Sequence, residues 1–395
     1  MYKKAFKYRL YPTKQQEQAL LKTLALCREL YNAALEERRE AYKLQKKTIN
    51  YYDQANQLPE IKELRPEYND IHSQVLQDVL RRVKKAMDNF FRRVKQGEKP
   101  GYPRFKSYNR FDSFTYPQSG FSLTHDSRVC LSKIGSIKVK LHRPIEGTMK
   151  TCTIKREVDQ WYIVFSCEVE ETEPLPANNE VVGLDLGILH FATLSTGETI
   201  ENPRHYRRAQ KQLEKLQQNL TRKKKGSHRR AKARKAVAKL HRKIKNQRKD
   251  FLHKQSRKLV NTYGTLVFED LKTANITRRP KPQRDDTTGE YLPNGASAEA
   301  GLNKSILDAG WSQFQQYCTY KAESAGRAVL FVSPNYTSQV CSGCGQVRKK
   351  ELSDRWHLCD CGTELDRDHN AAINIQRLGS SQRKPLRVRS VVGTA

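Results

Sequence analysis

The sequence lacks any apolar run of the roughly 20 residues that a membrane-spanning helix needs. Its start, MYKKAFKYRLYPTKQQ, also lacks the apolar segment of a secretory signal peptide. Acids are scarce, since 42 Asp and Glu face 74 Lys and Arg, for a formal net charge of +32. We therefore expect a cytoplasmic protein that does not bind membranes. The excess of positive charge predicts a polyanionic partner, with nucleic acid as the leading candidate. A basic membrane-surface protein and a merely solubilising charge are the alternatives.

Cysteine is unevenly distributed, which argues against disulfides. Five cysteines stand alone in apolar or strand-like segments, as small buried hydrophobes do: Cys27, Cys130, Cys152, Cys167 and Cys318. The other four form a cluster: Cys341, Cys344, Cys359 and Cys361. In a reducing compartment such a cluster predicts a metal site.

The 395 residues allow two or three domains. Residues 13–108 have apolar side chains at helical spacing, first Leu20, Leu24, Cys27, Tyr31 and Leu35, then Val75, Val79, Val83, Met87 and Phe90. In residues 109–176, apolar and polar side chains instead alternate with a period of two, which predicts a small antiparallel barrel or sheet. Residues 1–12 alternate too, so the helical lobe would be inserted between the first two strands of that sheet.

A new domain is predicted from residue 177. Residues 204–258 contain 23 Lys and Arg and only two acids, with leucines at helical spacing. This predicts two basic helices joined at RKKKGSHRR, where the candidate nucleic-acid contacts are Arg222, Lys223, Lys224, Lys225, Arg229 and Arg230. A solvated charged face is the alternative, but it leaves the near absence of acids unexplained.

The last third of the chain alternates between loops and regular elements. Residues 277–301 are rich in Pro, Gly and polar residues, which predicts a mobile loop. The segment LNKSILDAGWSQFQQYCTYKAESAG predicts one helix, and RAVLFVSPNY a strand. The tail 381–395 has no pattern of its own and is expected to be flexible and basic.

The spacing of the four clustered cysteines is typical of zinc knuckles. Cys341 and Cys344 form a CxxC pair and Cys359 and Cys361 a CxC pair, each followed by glycine. Four thiolates on short turns supply the tetrahedron of a structural Zn²⁺ site without an open position. Because CxC is one residue short, replacement of one thiolate by Asp360 or His357 is the alternative.

Three carboxylates occupy the ends of apolar segments. Asp185 lies within VVGLDLG, Glu269 ends TLVFEDL, and Asp368 opens the last helix. Such acids are costly to bury without a cation, and hard oxygen ligands favour Mg²⁺ or Mn²⁺. Two such ions would support phosphodiester hydrolysis. The alternatives are that Asp185 forms a turn before Gly187 and that Glu269 is an ordinary strand-end acid.

The two aspartates of Asp366-Arg367-Asp368 are expected to differ in role. Asp366 falls at the N-cap of the last helix, where its oxygen accepts backbone N–H groups. Asp368 heads the face that points into the domain, formed by Ala371, Ala372, Ile375 and Leu378. Arg367 and Asn370 lie off that face, available to the scissile strand or to support the ligands.

Several segments, in this order, resemble the TnpB family of transposon-encoded RNA-guided DNA endonucleases, relatives of type V CRISPR effectors: AFKYRLYPTKQQEQALLKTLALCRELYNAAL, GLDLGILHFATLS, FEDLK, SILDAGWSQFQQYCTYKAESAG, TSQVCSGCG and CGTELDRDHNAAINI. The resemblance covers nearly the whole chain. It implies a multidomain α+β and α/β protein: a wedge-like β-barrel (1–12 and 109–176) with an inserted helical recognition lobe (13–108), then a RuvC-type nuclease domain of RNase H fold (177–335 and 366–380) with a zinc-binding insert (336–365). It also implies Asp185, Glu269 and Asp368 as catalytic metal ligands.

The resemblance further implies a guide RNA from the transposon end and a double-stranded DNA target beside a short adjacent motif. Tyr51, Gln74 and Gln77 are candidate readers of that motif, although they could be ordinary helix-surface residues. The basic helices would hold guide RNA or heteroduplex. We expect a monomer at the nucleoid of a prokaryote.

Two other functions fit the same residues. A nuclease-silent regulator would bind guide-matched DNA without cutting it. A strand-transfer transposase would join transposon ends to a target, although the zinc insert between Glu269 and Asp368 argues against it.

Overall fold

The computed structural model describes residues 2–170, 173–351 and 354–381, so the predicted tail lies, except for Ser381, outside the described residues. The chain divides into two compact units, Met1–Glu171 and Thr172–Ala395. In the described part of the chain, no helix combines the length and the apolar character needed to cross a bilayer.

The first unit begins with one strand, and its helices follow before the next strand: β1 (Tyr2–Tyr11), α1 (Lys14–Gln45), α2 (Tyr51–Asn56), α3 (Leu58–Leu64), a 3-10 turn (Pro66–Asp70) and α4 (Ser73–Lys95). A capping box starts α1, because the Thr13 hydroxyl accepts from the N–H of Gln16 and the Gln16 side chain accepts from that of Thr13. The helix ends at Lys46, which has a left-handed φ of 55°. The five apolar positions predicted on α1 are all buried.

The rest of the first unit is a curled antiparallel sheet with β2 (Ser113–Tyr116), β3 (Phe121–Leu123), β4 (Arg128–Leu131), β5 (Gly135–Lys140), β6 (Thr148–Glu157) and β7 (Gln160–Val169). The strand order is β2-β6-β7-β1-β5-β4-β3, so β1 lies in the middle. Every second residue of β7 is buried, as period-two alternation requires. Phe6, Trp161 and Phe165 are among the large side chains of this core.

The second unit is built from β8 (Val181–Asp185), β9 (His190–Leu194), β10 (Thr199–Glu201), α5 (His205–Thr221), α6 (His228–Thr262), β11 (Thr265–Glu269), α7 (Thr273–Ile276), β12 (Gln283–Arg284), β13 (Tyr291–Leu292), α8 (Ala296–Ala309), α9 (Trp311–Ser324), β14 (Ala328–Val332), β15 (Trp356–Leu358), β16 (Glu364–Asp366) and α10 (Arg367–Ser381). Its main sheet has the order β10-β9-β8-β11-β14. The strands β8, β11 and β14 run parallel, whereas β9 and β10 are antiparallel neighbours.

The structure differs from the sequence prediction around Gly310. The predicted single helix is two helices, because Gly310 adopts a left-handed φ of 75° between α8 and α9. A Cβ there would also meet the side chain of Arg248 at 3.2 Å, so the position favours glycine. The helix α8 begins at Ala296, inside the segment 277–301 predicted as a loop, since its alanines favour a helix.

Two glycines let α10 lie against the sheet. A Cβ on Gly183 of β8 would approach the carbonyl oxygen of Ala372 to 2.1 Å, and one on Gly379 would approach Val267 of β11 to 2.5 Å. The side chain of Gln376 donates to the carbonyl of Val181 at 2.7 Å and fixes this contact. The prediction that Leu378 faces inward is wrong, because its side chain is 40% exposed, whereas the next residue, Gly379, lies against the sheet.

Candidate functional site

Asp185 and Glu269 end two neighbouring parallel strands. Phe268 of β11 pairs with Leu184 of β8, so the next residue on each strand, Glu269 and Asp185, comes at the same level of the sheet. Both acids follow buried apolar residues. The sheet therefore brings two carboxylates to one edge.

Asp368 reaches the same edge from α10. Asp366 caps this helix, since its Oδ1 accepts from the N–H of Asp368 at 2.8 Å and of His369 at 3.3 Å, which confirms the predicted cap. A Cβ on Gly187, two residues beyond Asp185, would lie 3.8 Å from Oδ2 of Asp368. The third carboxylate thus lies beside the turn that follows β8.

Burial disfavours the charged form of all three carboxyl groups, and repulsion adds to this at Asp185. Burial raises the pKa of Asp185 well above its ordinary value, and repulsion from Glu269 and Asp368 raises it further. Burial also raises the pKa of Glu269 and of Asp368. Bound divalent cations would relieve this repulsion and favour the ionised forms.

The chemistry of these carboxylates suits hard divalent cations. Carboxylate oxygen is the donor that Mg²⁺ and Mn²⁺ prefer, so Asp185, Glu269 and Asp368 could hold such ions.

Thr337 is a site residue that the sequence analysis missed. Its hydroxyl donates to Oε1 of Glu269 at 2.5 Å, while Gln315 of α9 donates to the backbone carbonyl of Glu269 at 3.0 Å. Glu269 is thus held by two elements besides its own strand. The only sequence sign was a hydroxyl residue shortly before the first cysteine pair.

The sulfur atoms of Cys341, Cys344, Cys359 and Cys361 lie within 4.8 Å of one another. Sγ of Cys341 is 3.6 Å from that of Cys361, and Sγ of Cys344 is 3.5 Å from that of Cys359. These separations are far longer than a disulfide. A tetrahedral zinc site with Zn–S bonds of about 2.3 Å has S–S edges of about 3.8 Å, so the cluster fits such an ion.

Local backbone geometry builds this cysteine cluster. Gly345 and Gly362, which follow the last cysteine of each pair, both have left-handed φ values, of 81° and 86°. Gly343 has no room for a Cβ, which would meet the Thr363 hydroxyl. Of the two proposed substitutes for a thiolate, Asp360 pairs with Arg348. His357 is buried next to Cys341 and its ring also contacts the Lys350 ammonium.

Asn370 and Asn374 join α10 to the start of the cysteine segment. Oδ1 of Asn370 accepts from the N–H of Ser342 at 2.9 Å, and both asparagine side chains donate to the carbonyl of Val340. Asn370 is fully buried. Of the two roles left open for Asn370, contact with the scissile strand or support of the ligands, the structure disfavours the first, because its buried side chain bonds the backbone of the cysteine segment.

The six predicted basic contacts lie at the junction of α5 and α6. Arg222, Lys224, Lys225 and Arg229 are exposed, and Lys223 is half-buried. Arg230 stabilises the junction itself, since its Nη1 donates to the carbonyls of Leu220 and Lys223 at 3.0 and 2.8 Å. A small core of Leu213, Leu240 and Ile244 holds the two helices together.

Tyr51, Gln74 and Gln77 all lie on helices of the first unit. The Arg81 guanidinium lies over the Tyr51 ring, 5.5 Å from its centre. Gln74 is engaged within the unit, because its Oε1 accepts from both the N–H and the hydroxyl of Ser119. Gln77 is half-buried on α4.

Known proteins are similar in sequence to this chain over most of its length. Family models match at residues 164–279 ("Probable transposase"), 311–375 ("Cas12f1-like, TNB domain") and 1–47 ("Helix-turn-helix domain"). Within residues 1–47 the structure has one strand and one helix, β1 and α1. A Streptomyces pristinaespiralis protein, "Putative RNA-guided DNA endonuclease", is 36% identical over 385 residues, which is 95% of this chain and 89% of that protein.

A second relative, "Putative RNA-guided DNA endonuclease InsQ" of Escherichia coli (strain K12), is 34% identical over 95% of this chain and 92% of its own. The chain belongs to the TnpB family. This membership confirms the resemblance seen in the sequence. The fold is similar to a solved structure titled "Cryo-EM structure of the Cas12f1-sgRNA-target DNA complex", with a TM-score of 0.56 over 95% of this chain and 98% of that one. The two are 13% identical, so this likeness concerns the fold alone.

Proposed function

We propose that the protein is a transposon-encoded, RNA-guided DNA endonuclease that cuts guide-matched DNA beside a short adjacent motif. The observation that carries the proposal is the convergence of Asp185, Glu269 and Asp368 at one edge of the second unit's sheet. The net charge of +32 supports a nucleic-acid partner. The names of the two full-length relatives support the same activity.

Asp185, Glu269 and Asp368 are the residues that would hold Mg²⁺ or Mn²⁺. Such ions, when bound, activate water and stabilise charge on the phosphate oxygens. The protein's own contribution is to fix the ligands: Thr337 orients Glu269, and the capped start of α10 orients Asp368. Hydrolysis of this kind leaves 5′-phosphate and 3′-hydroxyl ends.

We further propose that the four clustered cysteines hold a structural Zn²⁺ ion within an insert at 336–365. The strand order of the second unit's sheet, in which the first strand is central, supports a RuvC-type nuclease at 177–335 and 366–380. The wedge-like barrel (1–12 and 109–176) and the recognition lobe (13–108) complete the proposed domains. Tyr51, Gln74 and Gln77 stay candidates for the adjacent motif, and the basic helices for guide RNA or heteroduplex.

The test begins by sequencing the RNA that co-purifies with the full chain. A plasmid library is then cut with that guide, and wild type is compared with a matched pair of variants. Asp368→Asn should abolish cleavage, whereas Asp366→Asn should keep it, because asparagine also caps helices and Asp366 is not a metal ligand. Absence of RNA and of programmable cleavage would overturn the proposal. Guide-dependent binding without any cleavage by wild type would identify the nuclease-silent regulator instead.

A further inference from the structure

A cavity of about 290 Å³ opens beside α4 in the first unit, and no role assigned above uses it. Four cationic side chains line it, Arg82, Lys85, Lys106 and Arg110, together with Asn89 and one acid, Asp112. We call it the α4 cavity. Its size is close to the lower end of small-ligand pockets.

Arg82 forms a fixed part of the cavity wall. Its guanidinium donates to the Asp78 carboxylate, to the carbonyl of Ser113 and to the hydroxyl of Thr115, each at 2.8 Å. The guanidinium also lies over the ring of Phe111. All its nitrogen atoms are therefore engaged, and Asp78 compensates its charge, so Arg82 shapes the cavity rather than attracting a ligand.

The segment that carries Lys106 is clamped onto α1. Asn32 accepts from the N–H of Lys106 at 2.7 Å and donates to its carbonyl at 3.0 Å. The Lys106 ammonium lies 5.6 Å from the centre of the Tyr31 ring. These two hydrogen bonds fix the backbone at Lys106, so its side chain projects from a defined position at the cavity rim.

Lys85 and Arg110 supply charge that no close ion pair in the described residues engages. Both side chains are exposed, and neither forms an ion pair or a side-chain hydrogen bond within that part of the chain. The one acid of the lining, Asp112, lies 3.6 Å from the Lys155 ammonium. With the Asn89 amide, these cations form a cluster of donors that suits phosphate oxygens.

The approach to the cavity is suited to an unpaired strand. Exposed rings alternate with cations along the segment leading to it: Lys99, Tyr102, Arg104, Phe105, Lys106, Tyr108 and Arg110. Proteins that bind single strands combine a basic track with rings on which bases stack. We propose that the α4 cavity seats a backbone phosphate of an unpaired nucleic-acid strand, whose adjoining bases stack on these rings. The inference rests on the proposed function only in taking nucleic acid as the partner.

The test measures binding of a labelled single strand and of its duplex to the full chain by fluorescence anisotropy, in the Asp368→Asn background. The double variant Lys85→Ala/Arg110→Ala is compared with Lys138→Ala/Lys140→Ala, an equal loss of exposed charge on β5. We expect the cavity variant to bind the single strand about tenfold more weakly, with a salt slope lower by about 0.7, the value for one phosphate. Lys85→Arg/Arg110→Lys should keep most of the affinity.

The inference would be overturned if the two alanine pairs lost equal affinity for the single strand. It would also be overturned if the cavity variant bound the strand as tightly as the parent does. Adenosine monophosphate and inorganic phosphate distinguish the source of the phosphate. If either ligand binds the parent but not the cavity variant while strand affinity stays equal, the cavity serves a free phosphate compound and the strand assignment is wrong. An unchanged melting temperature excludes unfolding of the variant. None of these measurements requires cleavage, so they can be interpreted even if the protein fails the nuclease test.

Discussion

Thr337 and Glu269 are joined by a hydrogen bond of 2.5 Å between the threonine hydroxyl and the glutamate Oε1. The carbonyl of Thr337 accepts from Asn374 of α10 at 2.9 Å, and Cys341 follows four residues later in the chain. One residue therefore connects a proposed metal ligand with the helix that carries Asp368 and with the start of the cysteine segment. Glu269 owes its orientation in part to that connection.

We expect Thr337→Val to keep the fold and to impair cleavage. Loss of the hydroxyl frees Glu269 to rotate, so the Mg²⁺ concentration for half-maximal cleavage should rise about 10- to 100-fold. The KM for target DNA should not change, because Thr337 contacts Glu269, the proposed metal ligand, and not the DNA. Thr337→Ser should restore the wild-type requirement, as measured by cleavage rates across a magnesium titration.

Thr265→Val provides the matched control. Thr265 is also fully buried, at the opposite end of β11, but its hydroxyl has no hydrogen-bond partner among the described residues. We expect this variant to cleave as wild type does and to be no less stable, since it removes an unpaired buried hydroxyl. An equal magnesium requirement in wild type and Thr337→Val would contradict the positioning role.

The cysteine cluster predicts one zinc ion per chain. Cys344→Ser should bind it much more weakly, because water or a hydroxyl is a poorer fourth ligand than a thiolate, and the melting temperature should fall. Cleavage should fall as well, since Asn370 and Asn374 join this segment to α10. Metal analysis and thermal unfolding check this against Cys130→Ser, which changes a cysteine outside the cluster. Equal zinc affinity of wild type and Cys344→Ser in competition with a chelator would contradict a four-thiolate site.

Much of the candidate site follows from short-range rules. Parallel strands end at the same edge, so an acid after each apolar run predicted where Asp185 and Glu269 meet. The capping preference of aspartate separated Asp366 from Asp368 in the same way. The apolar spacing of α1 likewise predicted its buried face, because that face follows the helical repeat.

Other features depend on contacts distant in sequence. Asn370 looked like a polar helix-surface residue, yet the backbone of Val340 and Ser342 packs over it and requires its hydrogen bonds. Gly310 sits within an unbroken helical pattern, and the side chain of Arg248 explains part of the need for glycine. Nothing local to either residue encodes these neighbours, so the sequence pattern alone could not predict them.

The close contact between β8 and α10 predicts a strong effect of a single methyl group. A Cβ on Gly183 would overlap the carbonyl oxygen of Ala372, so Gly183→Ala should lower the free energy of unfolding by about 1–3 kcal/mol and reduce cleavage by displacing Asp368. Gly301→Ala is the control, because this glycine lies in α8 with no atom within 4 Å of the added Cβ. That variant should be neutral or more stable by about 0.5–1 kcal/mol in chemical denaturation. Equal effects would contradict the close contact.

Lys321 predicts a pH dependence of stability. Its ammonium is buried in α9 and donates to the carbonyl of His253 and to the hydroxyl of Ser256. Burial nevertheless lowers its pKa from 10.5 to about 8, with repulsion from Arg257 adding to the shift. Between about pH 8 and pH 10.5 the unfolded chain thus holds a proton that the folded chain has lost, so this group makes the protein more stable as the pH rises.

Chemical denaturation of wild type and Lys321→Met across that range isolates the effect. Cys318→Ala is made in both proteins, because the Cys318 thiol interacts electrostatically with Lys321. Buried thiols without that interaction, such as Cys152, whose raised pKa opposes stability at high pH, cancel in the difference. The stability of wild type relative to the variant should increase by roughly 1–2 kcal/mol from pH 8 to pH 10.5, after allowance for solvent screening. A constant difference would show that Lys321 keeps its proton in the folded state, and a decreasing one would show that its two hydrogen bonds outweigh burial and raise its pKa.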